Sequence, residues 1–378
     1  MKDTGYRVRS AMAAALFALL WGMGIQASAA TDPKDVMVYA GQDTGGISAM
    51  RFNADTGRLT SIGLVAEVPK PRWSVAHPQV PILYVASDGV VIAYAVDRAT
   101  GALTKVNEAT AGGAGTTHLS LDAQSMTLLA ANFGGGTTST IALNRDGSLG
   151  ALMSTIKSVG TGPHRRQTSP HAHGVEVDPS GRYALVADLG ADRVFVYGFD
   201  RASRALLPDD AVNPRSLAVP PGSGPHHTAF GLSGRFVYLL NELSADITTL
   251  RWDAQQGRLA TVQTLPISTP EFQGTKSGSE LAVSRDGRFV YVGNRGENTL
   301  LVYRVNADTG ELSVVQRLPA GGEALWSFAI HSSGKWLLTV NQRSNRVNVF
   351  GIDPVSGRLS ETGQSVDSPA PISITFME

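Results

Sequence analysis

The stretch HGVEVDPSGRYALVADLGADRVFVYGF, residues 173–199, reads as three short strands and their turns. HGVEV is one strand, DPSGR a turn, YALVAD a second strand and RVFVYGF a third. β-branched and aromatic residues fill the strands, and Asp, Pro, Ser and Gly stand where a tight turn needs them. No helical period runs through it.

The same unit recurs along the chain. Apolar runs ending in a small or polar residue appear as VMVYAGQ, ILYVASD, LLAANF, ALVADL, VYLLNE, VYVGNR and LLTVNQ. Each is followed by a turn ahead of a leucine, at Leu59, Leu103, Leu149, Leu206, Leu259, Leu312 and Leu359, spaced 44, 46, 57, 53, 53 and 47 residues apart. Seven repeats of several short strands predict an all-β chain folded as a seven-bladed β-propeller. DVMVYAG near the start reads as the second strand of its unit, and PISITF (371–376) as an orphan first strand. The C-terminal strand is therefore expected to complete the first blade and leave no open seam. Regular spacing and matching ends count against the alternative, two β-sandwich domains.

Composition bounds the rest. The chain has 378 residues, 42% of them hydrophobic, with 41 glycines and no cysteine. Disulfides, thiolate nucleophiles and cysteine metal sites are excluded. Lys2, Arg7 and Arg9 precede the apolar run AMAAALFALLWGMGI (11–25), and ASA (27–29) supplies small residues where a peptidase would cut. Residues 1–29 read as a signal peptide and 30–378 as the propeller, so a periplasmic or secreted protein is expected. No later stretch is long and apolar enough for a membrane helix. Without 1–29 the formal charge is −2, since three basic residues and one acidic residue leave. No basic stripe points to nucleic acid. The expected partner is a small molecule, and a monomer is expected.

Aligning the repeats on the turn after each first strand selects two columns. Arg72, Thr117, His173, His226, Ser279 and Trp326 begin the innermost strands; Gln42, Asp88, Phe133, Leu189, Glu242, Arg295 and Gln342 follow the second strands. Antiparallel pairing puts both columns on one face of the disc. The loop RRQTSP (165–170) opens there too, and His171, two residues before His173, is expected on the same side. His173, Glu242 and Arg295 are thus catalytic candidates, and Arg166, Gln167, His171, His226 and Arg72 candidates for holding a ligand around the channel mouth. A neutral histidine suits general-base work. A carboxylate orients it or shares the proton, and arginines clamp a carboxylate or steady an oxyanion. Plainer readings stand beside these. Histidines entering strands often only bond backbone, Glu242 and Arg295 form a structural ion pair, and His-x-His with His226 or His227 as a third ligand is a zinc pattern. No G-x-S-x-G elbow is present.

GTGPHRRQTSPHAHGVEVDPSGRYALVADLGADRVFVYGFD (160–200), GPHHTAFGLSGRFVYLLNEL (224–243), SELAVSRDGRFVYVGNRGENTLLVYRV (279–305) and FAIHSSGKWLLTVNQRSNRVNVF (328–350) closely resemble the seven-bladed β-propeller lactonase family. That family includes propeller-type 6-phosphogluconolactonases and carboxy-cis,cis-muconate cyclase. The resemblance implies a metal-independent site with no cofactor, its histidine matching His173, its glutamate Glu242 and one arginine Arg295, with Arg166 and Gln167 as its R-Q pair. Two departures stand out. The family's G-P-R-H is Gly224-Pro225-His226-His227 here, and its P-R-x-F is Leu325-Trp326-Ser327-Phe328. Two ring arginines are missing, which argues against a phosphorylated substrate. The expected function is an exported hydrolase of a lactone, with sugar lactones among the candidate substrates and a binding propeller or a muconate-type cyclase or isomerase as alternatives.

Overall fold

A computed structural model describes Met1, residues 35–208 and residues 215–378. The expected signal peptide lies outside the described residues. From residue 35 on, the structure is a seven-bladed β-propeller. Each blade is an antiparallel sheet, and in all but the first the strands follow the chain from the channel outward. In the second blade, for example, these are Pro71–Ala76, Ile82–Ser87, Val90–Val96 and Leu103–Thr110. The fourth blade carries an extra strand, Ser216–Ala218, paired with Arg193–Asp200. All seven repeat leucines lie on the outermost strands, at their first or second residue.

The ring closes as expected. Pro371–Met377 pairs with Asp35–Gln42 and supplies the inner strand of the first blade. Closure matters because a ring with an open first blade exposes a sheet edge.

Blade faces carry the core. The second strands are buried along their whole length in four blades and nearly so in the first, fourth and seventh, because both sheet faces meet a neighbour. Seven apolar clusters result, one at each blade interface. Tyrosines stitch neighbours together: the hydroxyls of Tyr39, Tyr84 and Tyr291 donate to the carbonyls of Gly101, Gly147 and Gly357 in the next blade.

The turns after the inner strands explain several polar residues. Asp178 Oδ1 accepts from the backbone N–H groups of Arg182 and Tyr183. His77 Nδ1 accepts from Gln79 and Val80, and His331 Nδ1 from Ser333, so these two histidines cap turns.

A chain ending at Ser368 lacks the closing strand. It is expected to lose its cooperative thermal melt or to melt far below the full chain, as followed by near-UV circular dichroism; an unchanged melt would mean that the first blade holds without it.

Candidate active site at the channel mouth

Every inner strand carries a β-bulge at its second residue. The pairing skips one residue between Pro71 and Trp73, Thr116 and His118, Ala172 and Gly174, Pro225 and His227, Gly278 and Glu280, Leu325 and Ser327, and Pro371 and Ser373. The skipped residues are Arg72, Thr117, His173, His226, Ser279, Trp326 and Ile372. A bulge breaks the in–out alternation and re-aims one side chain. All seven line a single cavity of about 490 Å³, a volume usual for a small-molecule site. Asp88, Phe133, Glu242 and Arg295 from the second column join them. The other three do not: Gln42 bonds Ser48, Leu189 is buried, and Gln342 bonds Asp43.

Glu242 sits at the centre, its side chain only 4% exposed. Arg166 Nη1 donates to its Oε1 at 2.6 Å and Arg295 Nη2 to the same oxygen at 2.8 Å. Arg295 also donates to Ser277 Oγ and lies over the Trp326 ring, 4.4 Å from its centroid. Burial pulls the Arg295 guanidinium below its ordinary value, and Glu242 opposes that shift. Arg72 reaches the cavity but is paired with Asp43 at 2.9 Å.

Beside the ion cluster stands a group of imidazoles. The His173 and His226 rings lie 3.7 Å apart between centroids, and His226 and His227 4.2 Å. This closeness depends on Gly174: a Cβ there would lie 2.7 Å from the His226 carbonyl oxygen and 2.8 Å from His227 Cδ2. Desolvation holds His173 well below the usual imidazole range, helped by His227, His118, Arg166 and Arg295. His226 is lowered likewise, by burial first and then by His173. Both rings are neutral at neutral pH. His226 Nε2 lies 3.8 Å from Glu242 Oε2, too far for a hydrogen bond.

The structure places two of the expected ligand contacts outside the cavity lining. Gln167 is fully buried and does not line the cavity. Its Nε2 donates to the Leu189 carbonyl and to Asp192 Oδ1, and Asp192 in turn accepts from the N–H groups of Gly222 and Gly224. Gln167 therefore anchors the loop that carries Arg166. His171 also stays outside the cavity lining. It stacks on Phe133 with centroids 4.3 Å apart, and its Nδ1 lies 2.8 Å from the Phe133 carbonyl. The pleat parity that put it beside His173 fails because it precedes the strand and the bulge follows. Sequence reasoning missed Glu280, whose Oε1 lies 3.0 Å from His227 Nδ1 and whose Oε2 accepts from Ser327. It also missed His118 and Trp73, which pack on His227 at 4.7 and 5.3 Å between centroids. No charge pattern flagged them, since they come from separate blades.

Trp73, His227 and Glu280 also line a second cavity of about 520 Å³ further along the inner strands, so they stand between the two. Glu176 lines this lower cavity, and burial pushes its carboxyl up to about 8.

Against known proteins, the family described as Lactonase, 7-bladed beta-propeller, matches residues 36–376. The 6-phosphogluconolactonase of Bacillus subtilis (strain 168) is 29% identical over 346 residues, covering 90% of this chain and 97% of that one. That of Serratia proteamaculans (strain 568) is 27% identical, covering 86% and 93%. Among solved structures, the Pseudomonas aeruginosa periplasmic gluconolactonase superposes with a TM-score of 0.83 at 31% identity, covering 91% of this chain and 99% of that one.

The raised Glu176 pKa carries a sign. Its folded value lies above the unfolded one, so its contribution is full below the ordinary carboxylate range and is lost as pH rises toward about 8. Glu176→Gln is expected to gain thermal stability over the parent at about pH 8 and to lose that gain at about pH 4, read by paired melting curves. An equal effect at both pH values would show that Glu176 does not titrate there.

Proposed function

Because the chain belongs to the seven-bladed β-propeller lactonase family, we propose that it is an exported lactonase acting on an unphosphorylated sugar lactone at the channel mouth. The observation that carries this reading is a neutral His173 ring facing the same cavity as two arginines fixed by one buried carboxylate.

In this mechanism His173 takes a proton from water as its oxygen attacks the lactone carbonyl. Arg295 and Arg166 lie across the cavity to receive the negative charge that develops on the carbonyl oxygen. Collapse breaks the ring ester bond, and the leaving alkoxide takes the proton back from His173, giving the open hydroxy acid. Glu242 holds both guanidiniums in place, and Gln167 holds the loop of one of them. The arginines polarise the carbonyl and stabilise the oxyanion, so this mechanism calls for no metal.

Charge favours a neutral substrate over a phosphorylated one. Lys70, Arg72, Arg166 and Arg295 line the mouth, and each already faces a carboxylate, of Asp88, Asp43, Glu242 and Glu242. His226 and Trp326 occupy the positions where the family pattern has arginine. Export rests on the N-terminal leader read from residues 1–29, and the likeness to a periplasmic gluconolactonase supports it.

Mature protein (residues 30–378) assayed with glucono-, galactono- and 6-phosphogluconolactone is expected to hydrolyse the unphosphorylated sugars faster, before and after chelator treatment. His173→Ala should lower kcat by about 10²–10⁴. A turnover rate that survives the substitution removes His173 from the base role, and no turnover of any lactone returns the weight to a binding propeller.

The pH profile has a fixed direction. The lowered His173 pKa keeps the base neutral on acidification, so kcat, corrected for spontaneous hydrolysis, is expected to stay level down to below about pH 6. An acid limb centred on the ordinary imidazole value contradicts this.

A further inference from the structure

We propose that His173, His226 and His227 form a binding site for one divalent transition-metal ion of the zinc class, and that filling it silences the hydrolysis proposed above.

The geometry begins with the three rings. One ring nitrogen from each lies within 4.8 Å of the others. Three imidazoles around a tetrahedral zinc, with Zn–N near 2.0–2.1 Å, stand about 3.4 Å apart. Small ring rotations therefore suffice. Because His173 and His226 are both bulge residues, their strands do not lock these rings into the pleat.

The second observation is what these nitrogens lack. His173 Nδ1, His226 Nδ1 and His227 Nε2 are buried and have no hydrogen-bond partner. Buried polar atoms without partners are uncommon in folded proteins, and a bound ion is one of the things that satisfies them. Three in one cluster form a donor set of a single chemistry.

The third is the support behind it. Glu280 Oε1 lies 3.0 Å from His227 Nδ1, which fixes the proton on Nδ1 and leaves the Nε2 lone pair free. Ser327 and the Leu281 N–H hold Glu280 in turn. A carboxylate behind a ligating histidine is the arrangement that orients and strengthens metal ligands. All three histidines line the cavity, a source of the water or ligand oxygen that would complete the shell. His226 stands where the family pattern has arginine, so the third ligand belongs to this chain's own sequence.

The chemistry of the base gives the consequence. A metal on His173 takes the lone pair that would accept the water proton. This half of the proposal rests on the lactonase reading; binding itself does not.

The test titrates chelator-treated mature protein with Co²⁺ and Zn²⁺. Expected are visible Co²⁺ absorption bands of a four-coordinate site, saturating at one equivalent and displaced by Zn²⁺. Affinity should fall at least about 10-fold in Glu280→Gln, the usual cost of losing such a support. His227→Gln should abolish the bands. His226→Arg, which installs the family's residue and serves as the variant expected to fold, should abolish them too while keeping its cooperative melt. No saturable binding, or binding undiminished in both His226→Arg and His227→Gln, overturns the site. In a parallel lactone assay one equivalent of Zn²⁺ should remove turnover and a chelator restore it. Metal bound with turnover unchanged overturns the link to His173. Metal bound by a protein that turns over no lactone upholds the site and rejects the lactonase reading instead.

Discussion

One backbone irregularity, repeated seven times, organises the mouth of this propeller. A regular strand offers every second side chain to the channel and fixes the rest between blades. The bulge at the second residue of each inner strand frees one residue per blade from that rule. It converts a rim of backbone into a ring of seven side chains: Arg72, Thr117, His173, His226, Ser279, Trp326 and Ile372. The blades beneath share apolar interfaces and vary little in plan. Chemical identity therefore resides in those seven positions and in the residues that follow the second strands.

At the mouth two kinds of order compete for space. Glu242 between Arg166 and Arg295 is a nearly buried ion cluster, and such a charge is costly unless its partners stay in place. The loop under Arg166 is pinned by Gln167 and Asp192, and the guanidinium of Arg295 by Ser277 and the Trp326 face. Next to it, Gly174 allows two strands to approach until the imidazoles of His173 and His226 nearly stack. Their burial beside the arginines keeps those rings neutral. The cationic and neutral halves of the site are thus set by the same packing.

Much of this was legible in the sequence. The seven leucines and the orphan strand at 371–376 gave the blade count and the closure, because repeat spacing survives every local detail. Stacking the repeats also found six of the seven ring residues, since column alignment needs no knowledge of the backbone. What it could not see was the bulge. An inner strand with one skipped residue has the same letters as a regular one, so His171 was expected beside His173 by parity and lies on Phe133 instead. Gln167 was misplaced for a related reason: a glutamine beside a site arginine looks like a ligand contact, whereas a turn that must satisfy Asp192 uses it as structure. Glu280 and His118 gave no local signal at all, because their meaning comes from contact with His227 across blades.

The position of His227 links these features. It follows a bulge residue, and with Trp73 and Glu280 it stands between the upper and lower cavities. A ligand in the upper cavity meets a floor made of an aromatic ring, an imidazole and a carboxylate already committed to that imidazole. Polar recognition is then left to the walls, where Glu242 already occupies Arg166 and Arg295. An incoming group must share those guanidiniums with a carboxylate. A carbonyl oxygen that gains charge only during reaction can do this with little rearrangement, whereas a doubly charged phosphate would have to pull them away. The buried ion cluster thus favours charge that develops in the transition state over charge that arrives with the ligand.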